Sequence, residues 1–239
     1  MRTQQVYLVT AGVDRMGKAI VEALVGEGNL VVAHYHTQEQ EALALKQACS
    51  SQVKCVYADL SEVTGVDHFF DAVLACFGRL DGIINNASWY LGASIEETLP
   101  EQFSTVMDVH CAYPFFLAKR FFCYLKENQR EGSIVNITDT KAEQGYGKRS
   151  AYLQAKAALL MQTRILASSL SPLVRVNAVA PGPILPNGMD VSYFQRMEKI
   201  LPLQRTGTPS DLTDAVLYLL HATYVTGETL HVDGGEHLL

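Results

Sequence analysis

The sequence predicts an α/β fold: one doubly wound domain with a seven-stranded parallel sheet flanked by helices. Three observations predict it. Short β-branched runs alternate with amphipathic stretches along the chain, the pattern of successive βαβ units. A chain of 239 residues with 48% apolar content can bury one large core. The first strand-like run passes through a glycine-bearing turn directly into a helical pattern, as a ligand-binding strand–helix junction does.

The strands are expected at Val6 to Thr10, Leu30 to Tyr35, Val53 to Ala58, Gly82 to Asn85, Ser133 to Thr138, Arg175 to Val179 and Thr229 to Val232. Between them, apolar residues at helical spacing predict helices over Lys18 to Val25, Gln38 to Ala48, Val66 to Cys76, Glu101 to Lys126, Tyr152 to Leu170 and Ser210 to Leu220. No repeat, low-complexity segment or linker divides the chain, so residues 1–239 read as one domain. A long irregular stretch is expected from Pro181 to about Pro209, with Pro183, Pro186, Asn187 and Gly188 in it. Long loops carry function, and residues 183–208 are the candidate substrate lid.

Composition narrows the partners. The net charge of -6, without a Lys/Arg-rich run, argues against nucleic acid and leaves a small molecule. No apolar run reaches the roughly 18 residues of a membrane span, and the N-terminal run lacks the charged start and cleavage site of a leader, so a cytoplasmic protein is expected. Five cysteines show neither CxxC nor metal-ligand spacing. They read as reduced, buried thiols, and no metal is expected.

Tyr152 and Lys156 carry the most chemistry. Four residues apart on a helix, they share one face, and the ammonium can stabilise phenolate and bring the tyrosine pKa down from about 10 towards neutrality. That spacing recurs on helices by chance, so the rest of the pattern matters. Thr10, Gly12, Arg15, Met16 and Gly17 form the turn where a pyrophosphate would rest on helix-terminal amides. The second strand ends at His36 and Thr37 without the carboxylate that NAD-type sites want, which favours NADP(H). Arg15, His36 and Thr37 could contact its 2′-phosphate, or be ordinary loop residues. Asp59, with Leu60 beside it, either accepts from an adenine amine or caps a helix, with Ser61 competing.

Together with Asn86, Ala87 and Ser88, Pro181 and Gly182, and the Asp233–Gly235 run, these motifs resemble the short-chain dehydrogenase/reductase family over essentially the whole chain. The resemblance implies a Rossmann fold, NADPH/NADP as cofactor and a homotetramer built through the helices at 101–126 and 152–170. The variants are most similar to pteridine reductases and bacterial dihydromonapterin reductases: Arg15–Gly17, Asn86–Ser88, and Asp139 where most members have serine. By the same resemblance Tyr90, with Trp89 beside it, would stack a pterin, unless both rings only cover the core. His110 replaces the usual asparagine of a proton path to the lysine. It is either a variant relay residue or a satisfied core histidine.

Asp139 bears on the reaction. Ketone reduction builds charge on oxygen, which a hydroxyl can stabilise and a carboxylate repels. Reduction of a C=N bond calls for a protonated nitrogen, which a carboxylate favours. The expected activity is therefore NADPH-dependent reduction of a pterin-like substrate, with Asp139, Tyr152, Lys156 and His110 at the reacting centre and Trp89 and Tyr90 at the ring. A carbonyl reductase with protonated Asp139, such as a 3-oxoacyl-carrier-protein reductase, is the alternative. A non-catalytic NADP sensor is a further one, and it would be marked by loss of Tyr152 or Lys156.

Overall fold

The computed structural model describes residues 4–49, 51–186 and 191–239. Seven strands make one sheet: β1 (Val6–Val9), β2 (Leu30–Tyr35), β3 (Val53–Tyr57), β4 (Gly82–Asn85), β5 (Gly132–Ile137), β6 (Val174–Pro181) and β7 (Thr229–Val232). Their order is β3-β2-β1-β4-β5-β6-β7, and every adjacent pair is parallel. The β1 and β4 strands are fully buried, as a sheet covered on both faces requires.

Helices α1 (Arg15–Gly26), α2 (Glu39–Ala48) and α8 (Pro209–His221) cover one face. Ile20, Leu24, Leu45, Leu212 and Val216 pack there on Val9, Val31 and Ile84. Helices α3 (Val66–Phe77), α5 (Tyr113–Glu127) and α6 (Ser150–Ser169) cover the other, with Phe70, Leu117, Phe121 and Leu166 on Leu8, Ile83 and Ile134. The expected doubly wound parallel sheet is thus observed, with two differences in the helices.

The helix expected over Glu101 to Lys126 is interrupted. Helix α4 (Pro100–Met107) passes into a wide turn, Asp108–Ala112, in which Tyr113 N donates five residues back to Asp108 O. Pro114 sits in the first turn of α5, and a proline has no N–H to continue an α-helical ladder. The second difference lies in the stretch expected to be irregular, which contains helix α7 (Val191–Ile200) with Met197 buried beneath it. The flanking prolines had masked its amphipathic pattern. Asn187 and Gly188 lie outside the described residues.

A buried polar ladder positions the helix that carries Tyr152. Asn85 Nδ2 donates to Asn136 Oδ1 at 2.8 Å, and Asn136 Nδ2 to Thr163 Oγ1 at 2.9 Å, joining β4 and β5 to α6. Such groups are fully paired, so they fix register without an unsatisfied atom. No helix among the described residues is long and apolar enough to cross a membrane.

Candidate active site

In a doubly wound sheet, ligands bind beyond the carboxyl ends of the strands, where the strand order reverses. Here that point lies between β1 and β4. A cavity of about 600 Å³ opens there, lined from the ends of β1, β4, β5 and β6, from α6 and from α7.

At one end the chain turns from β1 into α1 through Ala11 and Arg15, both at positive φ, 49° and 48°. Such backbone is strained for non-glycine residues and must be held by its surroundings. His34 does this for Ala11: the Ala11 N–H donates to His34 Nδ1 at 3.0 Å, and His34 Nε2 gives its hydrogen to Ala58 O at 3.1 Å. Thr10 Oγ1 accepts from the amides of Asn86 and Ala87, both at 2.9 Å, and Asn86 Nδ2 donates back to the carbonyls of Thr10 and Ala11. A Cβ on Gly17 would lie 1.9 Å from Ala11 O and 2.8 Å from Asn86 Nδ2. Only glycine fits, and the bare backbone is open to a pyrophosphate. A Cβ on Gly182 would meet Asp233 at 2.8 Å, so the far wall is equally close. Asp14 caps α1 by accepting from Arg15 N at 2.7 Å. These features fit a dinucleotide.

At the other end stand Asp139, Tyr152 and Lys156, all lining the cavity. Asp139 Oδ1 accepts from Lys141 N at 2.8 Å and its Oδ2 accepts from the Tyr152 hydroxyl at 3.3 Å. Lys156 Nζ donates to Ile137 O at 2.8 Å and sits 5.7 Å from the centre of the Tyr152 ring. Tyr90 meets Tyr152 edge to face with centroids 5.4 Å apart. His110 lies behind this cluster, its Nε2 3.1 Å from Ser88 Oγ.

The electrostatics correct one expectation. Burial, then the charge of Asp139, push the Tyr152 phenol up from its ordinary value rather than down. The ammonium that was to lower it donates to a backbone carbonyl instead, and burial lowers Lys156 itself to about 8. Tyr152 therefore holds its proton at neutral pH and is built to give one. Burial and the nearby Lys156 charge lower His110 to about 3, so it is neutral.

Several expected residues lie elsewhere. Arg15, Met16, Gly17, Asn86, Ser88, Tyr90, Pro181 and Gly182 line the cavity. His36 does not, and its Nε2 lies 3.6 Å from Asp59 Oδ2. Thr37 is also outside the lining, where Gln38 takes the place. Asp59 accepts from Ser61 N and Oγ at 2.9 and 2.7 Å, a local turn rather than a helix cap, because α3 begins only at Val66. Leu60 is core, Thr10 is buried, and Gly12 N donates to His34 O at 2.9 Å behind the loop. Ala87 packs against the core, and Trp89 is exposed outside the cavity. His110 is bonded to Ser88 and Val106, with the Lys156 charge nearby. The five cysteines are free, as expected, and half-buried rather than fully buried.

Arg149, Lys141, Tyr193 and Glu236 are among the lining residues that escaped the sequence reading. Arg149, at φ 61°, places its guanidinium 5.6 Å from the Tyr90 and Tyr146 ring centres and 6.0 Å from that of Tyr152. It stands three residues before Tyr152, one turn away on the same face, and that spacing could have found it. Lys141 Nζ pairs with Glu236 Oε1 at 2.9 Å and donates to the Tyr193 hydroxyl at 2.8 Å. This triad ties α7 to the C-terminal turn, and no local motif announces it.

Comparison with known proteins agrees with this geometry. A family model described as enoyl-(acyl carrier protein) reductase matches residues 12–237. Ketoacyl reductase 2 of the granaticin polyketide synthase of Streptomyces violaceoruber is 32% identical, over 98% of this chain and 96% of that one. The dihydromonapterin reductase of Shigella boydii is 31% identical, over 97% and 96%. The crystal structure of FolM alternative dihydrofolate reductase 1 from Brucella canis, complexed with NADP, superposes with a TM-score of 0.88 at 32% identity, covering 98% of this chain and 95% of that chain. With strand order, glycine turn, Tyr152–Lys156 pair and full-length likeness in agreement, the chain belongs to the short-chain dehydrogenase/reductase family.

Proposed function

We propose that the protein is an NADPH-dependent pteridine reductase that reduces the C=N bond of a dihydropterin or dihydrofolate to the tetrahydro form. The carrying observation is Asp139: a carboxylate takes the Tyr152 hydrogen bond at the point where a ketone reductase needs a donor. The similarity to dihydromonapterin reductase and to alternative dihydrofolate reductase supports the same substrate class.

The glycine turn, Asn86, Lys156, Pro181 and Gly182 would hold the cofactor, and Arg15 its 2′-phosphate. The absence of an acid at the end of β2 favours NADPH, and solved relatives carry NADP. NADPH held there would supply a hydride to a carbon of the pterin ring. Tyr152 supplies the proton to the adjacent nitrogen, and Asp139 stabilises positive charge there. Tyr90 offers an aromatic wall for the ring, and α7, within the 183–208 lid, closes over its tail. Our test is NADPH oxidation with dihydrobiopterin, dihydromonapterin and dihydrofolate against an acetoacetyl thioester. Turnover of a pterin beside a silent thioester is expected; thioester turnover alone overturns the assignment.

A second reading, a ketoacyl reductase, is favoured by the granaticin relative and requires a protonated Asp139. An acidic carrier would need a free basic surface beside the lid. Arg205 is paired there with both oxygens of Asp211, at 2.9 and 2.8 Å, and Arg196 and Lys199 are the other exposed cations of this surface, so the reading is separated by the thioester arm of the same assay.

We place the enzyme in the cytoplasm as a homotetramer. Five free thiols suit a reducing compartment. Phe103, Phe115, Phe116, Met161 and Ile165 on α4, α5 and α6, with Leu238 and Leu239, are exposed apolar residues suited to subunit contacts. Light scattering after size exclusion is expected to give four chains, and a monomer would refute the assembly.

A further inference from the structure

We propose that His110 is a positioning residue that makes Ser88 a hydrogen-bond acceptor, so that the pocket sets two acceptors, Ser88 and Asp139, around the single Tyr152 hydroxyl and selects N–H-bearing substrates over ketones. The substrate part of this inference rests on the pteridine reading; the hydrogen-bond direction does not.

The direction follows from geometry. His110 is 1% exposed, in the wide turn between α4 and α5. Its Nδ1 lies 2.9 Å from Val106 O. A carbonyl oxygen only accepts, so Nδ1 carries the hydrogen. The imidazole packs edge-on against the Tyr152 ring at 5.4 Å and stays neutral in these surroundings, which leaves Nε2 as a bare acceptor. Its partner at 3.1 Å is Ser88 Oγ, so Ser88 gives its hydrogen to His110. Ser88 lines the cavity and is exposed to it, and it has only lone pairs left to present.

This decides between substrates. An oxygen gaining negative charge beside the Tyr152 hydroxyl would meet two acceptor groups, Ser88 and Asp139, that repel it. A pterin ring, with its N–H and amino hydrogens and a nitrogen to be protonated, would find acceptors for them. A site built to accept hydrogen bonds rejects a substrate that cannot supply them, because its polar groups are then left unpaired. Tyr152 stays protonated because burial and the Asp139 charge outweigh the groups that pull its phenol down, Arg149 and Ser88 among them.

The test has two readouts on the full-length enzyme. Long-range nitrogen–proton NMR correlations report the His110 tautomer directly, and the Nδ1–H form is expected; the Nε2–H form overturns the proposal whatever the substrate. In kinetics, His110→Phe frees the Ser88 hydrogen. It is expected to lower kcat for the pterin about tenfold and to move the pterin-to-thioester ratio about tenfold towards the thioester, with NADPH affinity unchanged. His110→Gln, whose side-chain oxygen can still accept from Ser88, is expected to restore most of the ratio. An unchanged ratio in His110→Phe overturns the proposal. Should that variant not fold, Ser88→Ala, at an exposed position, is expected to lose pterin turnover about tenfold without gaining thioester turnover; an undiminished pterin rate overturns the proposal. A wild-type enzyme silent with every pterin refutes the substrate reading, while an Nδ1–H signal would still uphold the role of His110.

Discussion

The two ends of the cavity are built by opposite means. At the nucleotide end, the wall is close-packed backbone, and neutral buried groups hold it in shape: His34 on Ala11, Thr10 on Asn86 and Ala87, Gly17 against Ala11. At the substrate end, charged and aromatic side chains from four segments meet: Asp139 and Lys141 after β5, Arg149 before α6, Tyr193 on α7 and Glu236 near the C-terminus. The buried histidines repeat the contrast as opposite tautomers. His34 accepts a backbone N–H on Nδ1 and shapes a loop; His110 donates from Nδ1 and orients a side chain. Cofactor binding should therefore respond to backbone changes, and substrate choice to single side chains.

The strongest way to break this contrast is Gly17→Ala. A Cβ placed 1.9 Å from a carbonyl forces the loop apart. NADPH affinity by fluorescence titration is expected to fall about a thousandfold, some 4 kcal/mol. Wild-type affinity would show the loop does not hold the cofactor by close backbone approach.

Acid should act on both ends at once. His34 and His110 sit at about 4 and about 3 in the fold against an ordinary 6.5, so the unfolded chain takes up the extra protons. Their stabilising effect is complete above pH 6.5 and is lost as pH falls towards those values. Denaturant melts are expected to show a loss of about 2 kcal/mol per histidine on going to about pH 5. His34→Asn should remove part of that slope; an unchanged slope would rule out His34 as its source.

Asp139→Ser separates the two ends. Pterin kcat/KM is expected to drop about a hundredfold, nearly 3 kcal/mol, with NADPH affinity held within about twofold. Parallel losses in both would show that the two ends are not independent. The smallest effect is expected for Arg149→Met, which leaves the fold and removes the cation among three tyrosine rings. Pterin KM should rise about fivefold, and an unchanged KM would exclude Arg149 from substrate binding.

The same contrast governs what the sequence made legible. Sheet and nucleotide turn were readable because their signals are local: β-branched runs, a glycine that cannot be replaced, and Tyr152 one turn from Lys156. The substrate end was readable only where one residue type departs from expectation, as at Asp139. Lys141, Tyr193 and Glu236 meet across 52 and 43 residues of chain and leave no spacing to recognise. Helix α7 was hidden by flanking prolines, while Pro114 did mark the break after His110 and was overlooked. His36 and Asp59, where a nucleotide contact is expected, face one another across 3.6 Å, a pairing that no local spacing announces. The phenol of Tyr152 moved against expectation because burial and Asp139 outweigh a lysine that is occupied elsewhere.

The most direct test of the central claim, that the carboxylate of Asp139 commits the site to a C=N bond, is a four-way comparison of NADPH oxidation near neutral pH. Wild-type enzyme and Asp139→Ser would each be given a dihydropterin and an acetoacetyl thioester. The expected result is a wild-type enzyme active on the pterin alone and a variant whose preference moves towards the thioester. A wild-type enzyme that prefers the thioester, or a variant whose preference does not move, would contradict the account.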